Sequence, residues 1–252
     1  AAVIAGAALP AAAADDDAAI QQKIEARLEK AGIARDGAVD VSVDNGSVML
    51  TGAVTTVAAQ NDASRLARKE ARFVENRIRV IPAVERTDAE LTKDVRGAIL
   101  RYPRLTAFDS IELKVDGGNV LLAGSVLQPW HRRDIESAVA RIPGVRSVEN
   151  EIAVQGVSVF DARLRWQIYS RIYGHLGAVF PGAGDRTDAP VRIVVDQGRV
   201  TLTGWVPSAV DRTLVGNIAR STLAFSVDNQ VKIDGEPPTT DQPKTTGPEL
   251  VI

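Results

Sequence analysis

Hydrophobic positions along this chain recur in two periods that follow one another in a fixed order, three times over. Ile20, Ile24 and Leu28 are spaced by four, as are Leu91, Val95 and Ile99 and, further on, Leu164, Ile168 and Ile172. That spacing lays one apolar stripe along a helix, so each trio predicts an amphipathic helix. A period of two comes next. In "VDNGSVMLTGAV" (43–54), Val48, Leu50, Gly52 and Val54 fall on one strand face. "VDGGNVLLAGSV" (115–126) and "VDQGRVTLTGWV" (195–206) repeat the pattern with Val120, Leu122, Gly124, Val126 and with Val200, Leu202, Gly204, Val206. Asn45-Gly46, Gly117-Gly118 and Gln197-Gly198 interrupt the alternation as two-residue turns, so each phrase predicts a β-hairpin.

A second helix is predicted over 57–71, 130–142 and 208–222, with Pro129 and Pro207 at or just before its first turn. Each unit then closes on a strand: "FVENRIRV" (73–80), "SVENEIAV" (147–154) and "SVDNQVKI" (226–233). Asn76, Asn150 and Asn229 lie on the apolar face of that strand. An amide buried there unpaired costs about 1–3 kcal/mol, so each is expected to pin a neighbouring loop or helix end. Gly52, Gly124 and Gly204 sit inside strands rather than leading into a helix, which argues against a phosphate cradle. They are expected to let a helix backbone approach the sheet. An aspartate cluster (Asp15–Asp17) precedes the first helix, and Asp88 and Asp161 stand similarly before the others, where they are expected to cap.

The turn glycines Gly46, Gly118 and Gly198 set the repeat, and the wider second interval is taken up by the Gly/Pro-rich "AVFPGAGDRTDAP" (178–190). Three tandem α+β domains of order αββαβ result, over 15–82, 86–156 and 158–234. The order, the "V-x-V-x-x-G-x-V-x-L-x-G-x-V" hairpin and the closing "V-x-x-V-x-N-x-I-x-V" resemble the BON domain (bacterial OsmY and nodulation). The second copy matches best, with "IESAVARIPGVRSVENEIAV" after its hairpin; the third lacks the "PGV" turn and the first is shortened there. The resemblance implies small domains, each a three-stranded mixed sheet with two helices on one face. It further implies a non-enzymatic periplasmic or envelope protein, tied to osmotic or envelope stress and outer-membrane maintenance, with anionic phospholipid as the proposed ligand of the family. No family-wide ligand motif carries over, and the matching glycines and asparagines are scaffold positions.

Composition narrows the chemistry. Lys+Arg number 30 against Asp+Glu 32, a formal net charge of -2, which gives no basic field for nucleic acid. There is no cysteine and there are only two histidines, His131 and His175, so disulfides, thiolate chemistry and a His-rich metal site are not expected. Neither histidine lies in a catalytic motif, and no cofactor is expected. The opening "AAVIAGAALPAAAADDD" reads as the end of a secretory signal peptide over 1–14, and it is too short to span a membrane. The Pro/Thr-rich 235–252 reads as a disordered tail.

Comparing the copies singles out candidate contact residues. Trp166, Tyr169 and Tyr173 stand where the first copy has Gln22, Glu25 and Glu29, and Arg163, Arg165 and Arg171 surround them. Aromatic rings with guanidinium groups suit an anionic membrane surface; packing against an adjacent repeat or the 178–190 loop is the competing reading. "PWHRRD" (129–134) supplies Trp130, His131, Arg132 and Arg133 at a helix start, to be weighed against a plain solvated helix end. Trp205 replaces Ala53 and Ser125 on an outer strand face, as if for a partner or another unit. The leading expectation is peripheral binding to anionic phospholipid, the alternatives being a protein-interaction scaffold of an envelope complex and a cation-responsive module.

Overall fold

The computed structural model describes residues 11–33, 37–177, 189–234 and 250–251. Most of the expected leader, the 178–190 loop and the 235–252 tail lies outside these residues. In the first repeat, helix α1 (Ala11–Lys30) leads to strands β1 (Gly37–Asp44) and β2 (Ser47–Val54), helix α2 (Val57–Ala67) and short strands β3 (Phe73–Asn76) and β4 (Arg79–Val80). The second runs α3 (Asp88–Leu100), β5 (Ser110–Asp116), β6 (Asn119–Val126), α4 (Pro129–Val139), β7 (Ser147–Asn150) and β8 (Ala153–Val154). The third runs α5 (Val159–Leu176), β9 (Val191–Asp196), β10 (Arg199–Val206), α6 (Ala209–Arg220), β11 (Ser226–Asn229) and β12 (Lys232–Ile233), and β13 (Leu250–Val251) follows.

Each repeat is αββαβ with a mixed sheet, as the periodicities and the resemblance imply. The hairpin strands pair antiparallel and the closing strand adds in parallel beside the second hairpin strand, which is therefore central. The closing strand is broken after its asparagine, so it counts as two pieces. At that break Arg77 N–H still donates to Leu50 O (2.7 Å), while Ile78 N–H turns inward to Asn76 Oδ1 (3.0 Å). Asn150 and Asn229 accept from Ile152 N and Val231 N in the same way, at 3.2 and 3.3 Å. Their amide groups donate to helix carbonyls: Asn76 to Gln60 O, Asn150 to Arg132 O and Asn229 to Arg212 O. One side chain thus bridges a strand break and the second helix in every copy.

The hairpin turns have positive φ at both central residues, for instance Asn45 at 48° and Gly46 at 73°, as the type I′ geometry requires. The strand glycines correct one expectation. At Gly52, Gly124 and Gly204, φ is 108°, 96° and 101°. A Cβ there would meet Ala38 O or Ser110 O of the preceding strand, or Pro190 O just before it, at 2.1, 2.3 or 2.0 Å. The backbone that comes close is the neighbouring strand, not a helix. The aspartates are a second correction. Thr87 and Ser158 cap α3 and α5. Asp88 instead accepts from both turn amides, Gly117 N and Gly118 N, at 2.9 Å. Asp17, inside α1, does the same for Asn45 and Gly46, and Asp161 for Gln197 and Gly198.

The described chain forms two compact units, residues 1–85 with 140–147, and residues 86–139 with 148–252. In the first unit, Ile24 and Leu28 of α1, Val48, Leu50 and Val54 of β2, Ala63 of α2 and Ile78 close one core. Arg27 pairs with Glu70 across its rim. In the second unit the loop 106–109 that precedes β5 enters the core of the third repeat. Ala107 and Phe108 are buried with Ile168, Ile172, Ile193 and Leu202. Ala107 O accepts from Ile193 N at 2.7 Å, Thr106 O from Arg192 at 2.9 Å, and Ser110 Oγ meets Thr203 Oγ1 at 2.8 Å. Repeats two and three therefore share an interior.

Candidate functional site

Two aromatic surfaces on α5 have to be separated. Tyr169 and Tyr173, predicted as contact residues, belong to packing. Phe108 sits edge-on to Trp166 and Tyr169 with centroids 5.3 and 5.7 Å apart, and Tyr169 lies 4.6 Å from Tyr173. Tyr173 Oη donates to Val191 O (2.6 Å) and accepts from Val191 N (3.1 Å). Burial pushes the Tyr173 phenol well above its ordinary pKa, so it is a neutral strut. Arg165 is buried and donates to Val195 O at 2.9 Å; desolvation lowers its pKa while Asp161 and Asp196 oppose that. Arg163 is exposed. Trp166 lies against Phe108 and keeps 47% of its surface accessible.

The "PWHRRD" stretch is not the basic knot on a helix start that its sequence indicates. His131 is buried, with Nδ1 3.3 Å from Asp109 Oδ1, and both Tyr102 and Trp130 stand edge-on to its ring. Asp109 also accepts from Thr106 N, Thr106 Oγ1 and Leu127 N. Together they brace the loop that carries Ala107 and Phe108. Arg132 reaches back to Asn150 O at 2.9 Å. Trp130 and Arg133 remain at the surface. Trp205 is 43% exposed on β10, opposite Lys232 in the register. These residues are spread over α4, α5 and β10, and the structure does not bring them into one site.

The largest departure from the other copies is at the hairpin-turn end of the third repeat. Gly198 is buried at the turn beneath two rings. A Cβ on it would lie 3.1 Å from Phe225 and 3.3 Å from Phe160. Phe225 N–H donates to Gly198 O at 2.8 Å, which fixes the chain there. Around this pair Phe225 is 87% exposed, Leu223 80% and Val159 72%. Aligned on the turn-binding aspartates and the closing asparagines, Val159 and Phe160 replace Asp15 and Asp16 in the first copy and Arg86 and Thr87 in the second. Leu223 and Phe225 replace Glu70 and Arg72, and Gly144 and Arg146. At these four positions the first copy is charged, the second carries Arg86, Thr87, Gly144 and Arg146, and the third is wholly apolar; Phe73, 69% exposed, is the aromatic at the same end of the first repeat. Arg163 lies one helical turn from Val159 and Phe160, Arg199 adjoins Gly198, and Arg220 ends α6 three residues before Leu223; Asp196 and the turn-binding Asp161 are acidic neighbours at the turn.

Val159, Arg163 and Trp166 follow the i, i+4, i+7 spacing, so the exposed face of α5 runs from this tip to Trp166. The repeat pattern alone leads to Trp166 and not to the tip, because the tip gathers residues from α5, the hairpin and the turn after α6. The signal was present in Val159-Phe160 standing where the other copies carry polar pairs. In the first repeat, Met49, Arg68, Arg72 and Phe73 help line an open groove of about 600 Å³. Among the described residues no cluster of His, Asp and Glu can hold a metal ion, and no helix is long and apolar enough to cross a membrane.

No curated protein matches the chain. Two solved structures of CdsD, a structural protein of the type III secretion system of Chlamydia trachomatis, one of them its C-terminal domain, are similar at 15% and 14% identity. They cover 84% of this chain and 90% and 96% of their own, each with a TM-score of 0.25. The BON domain family model matches residues 16–82, 87–156 and 170–235; the first half of α5, with Phe160, Arg163 and Trp166, lies outside the third match. By these three matches, which take in most of its length, the chain belongs to the BON domain family, as a tandem of three.

Proposed function

We propose that this chain is a non-enzymatic periplasmic protein that docks peripherally on anionic phospholipid and protects the envelope under osmotic or envelope stress. BON domains are associated with envelope and osmotic-stress proteins, which supports the setting. The observation that carries the ligand is the tip of the third repeat. Val159, Phe160, Leu223 and Phe225 are 72%, 47%, 80% and 87% exposed there. A soft acyl layer accepts such a wedge. Each apolar side chain moved out of water contributes about 1.5–3 kcal/mol at full burial. Arg163, Arg199 and Arg220 then stand near headgroup level, each adding about 1 kcal/mol against an anionic surface.

Trp166, half-exposed on the same helix face, fits the interfacial depth that tryptophan prefers. Trp130, Arg133 and Trp205 lie elsewhere and have no part in this reading. Sedimentation of the chain with liposomes containing anionic lipid, at low and high salt and beside neutral liposomes, tests it. The reading requires binding to the anionic set that weakens with salt. Absence of binding overturns it and moves the function to capture of a protein partner.

A further inference from the structure

The first hairpin strand of each repeat lies at a sheet edge, because the second is central and the closing strand takes the other side. In an antiparallel hairpin every second residue turns its N–H and C=O away from the partner strand. Counted from the turn-closing pairs Asp44–Ser47 and Asp196–Arg199, these are Val39, Val41 and Val43 on β1, and Val191, Ile193 and Val195 on β9. On β9 much of that row is occupied. Tyr173 Oη meets both groups of Val191, Ala107 O accepts from Ile193 N, and Arg165 donates to Val195 O. On β5 the equivalent Leu113 is paired with Leu250. Among the described residues, β1 pairs only with β2, and nothing meets Val39, Val41 or Val43 from the other side.

The third repeat shows what such an edge receives. Ala107 lies beside β9, and Phe108 packs edge-on against Trp166 and Tyr169 on the flank of α5. In α1 the positions of Trp166, Tyr169 and Tyr173 are held by Gln22, Glu25 and Glu29. With Ala26, Leu28 and Val39, these three line a groove of about 490 Å³ between α1 and β1. Leu28 and Val39 give it apolar surface; Glu25 and Glu29 are exposed and give it negative charge, Glu25 also accepting from Gln21 Nε2 at 2.8 Å. Asp40 and Asp44 are exposed on the other face of β1. The cations of α1 fall on its opposite flank at about 100° per residue: Arg27, which pairs with Glu70, and Lys23 and Lys30.

We propose that the β1 edge and this flank of α1 form a docking site for an extended basic segment of a partner protein, seated as residues 106–109 are on β9. A lysine or arginine takes the place of Phe108, its stem on Leu28 and Val39 and its charge against Glu25 and Glu29. Main-chain hydrogen bonds to Val39, Val41 and Val43 supply affinity, and the acidic flank selects the segment. The same charge disfavours a second copy of this chain, whose β1 would bring like carboxylates against Asp40 and Asp44. The site belongs to the first repeat and does not depend on the lipid reading of the third.

A short peptide alternating threonine and lysine, blocked at both ends, tests this on the full chain beside a counterpart with glutamate for lysine. Amide hydrogen exchange at Val39, Val41 and Val43, read residue by residue, is expected to slow about threefold at millimolar lysine peptide, the factor for a site about two-thirds occupied. The glutamate peptide should leave it unchanged. Glu25→Lys with Glu29→Lys changes two exposed positions, so the urea midpoint should hold. That variant is expected to bind the lysine peptide at least about tenfold more weakly and to prefer the glutamate peptide. No slowing at the three valines overturns the proposal, as does equal slowing by both peptides or a preference that the charge reversal leaves in place. Protection that grows with chain concentration in the absence of peptide assigns the edge to a second copy and overturns it as well.

Discussion

The carboxylate of Asp161 holds the Gly198 N–H at 2.8 Å from a position 37 residues upstream, and it takes the Gln197 N–H with its other oxygen. Helix α5 is thereby fastened to the hairpin turn on which Phe160 and Phe225 close. Asp161 is 2% exposed, so its loss leaves polar groups without water to replace it. Asp161→Ala is expected to destabilise the unit by about 1.5–3 kcal/mol, the range for hydrogen bonds to a charged group. Asp161→Asn, which keeps one acceptor oxygen, should fall between the two in urea unfolding.

Two positive-φ positions of the third hairpin have opposite expected outcomes. Gly204→Ala puts a Cβ 2.0 Å from Pro190 O, at a φ of 101°, and is expected to cost at least about 3 kcal/mol. Gln197 holds a φ of 49° with no glycine or asparagine to ease it. Gln197→Gly should therefore raise stability by about 0.5–1 kcal/mol, seen as a higher urea midpoint with an unchanged slope.

Much of this architecture was legible because it is written in periods. The four-residue stripes, the two-residue alternation and the Asn45-Gly46 type of turn gave element type and order for all three copies. What the sequence did not give were relationships set by tertiary distance. Asp88 reads as a helix cap, yet Thr87 takes that role and Asp88 reaches a turn 29 residues away. His131 reads as part of a basic surface, yet Asp109 draws it inside. Trp166, Tyr169 and Tyr173 share a helix face in any reading, but only the fold brings Phe108 against them. The exposed tip was the least visible, since Phe160, Gly198 and Phe225 are distant in the chain.

The shared interior of repeats two and three depends on one side chain from a loop. Phe108 is 4% exposed and contacts both Trp166 and Tyr169. Phe108→Ala is expected to cost about 3–5 kcal/mol. It should also shift Trp166 emission to longer wavelength in the still-folded chain, because the ring loses its cover. Unchanged emission would mean that the edge-on contact contributes nothing to the Trp166 environment.

Alkaline pH should loosen the second repeat through Tyr102. Burial first, and then the 2.8 Å hydrogen bond to Asp134, push its phenol up to about 12 from 10.0. Because the folded value is the higher one, the stabilisation from the neutral phenol is fully present below pH 10 and is lost as pH rises through about 12. Tyr102→Phe should flatten part of that decline in urea midpoints measured across this window. The raised Tyr173 phenol, which acts with the same sign, leaves the remainder.

The most direct test is a double substitution at the tip, Leu223→Ser with Phe225→Ser, assayed for sedimentation with anionic liposomes beside the parent chain. Both residues are more than three-quarters exposed, at 80% and 87%, so the urea midpoint should stay where it is. Membrane affinity should fall at least about thirtyfold, the equivalent of about 2 kcal/mol removed from the inserted wedge. A variant that sediments as fully as the parent, with unchanged stability, would show that the tip does not enter the lipid.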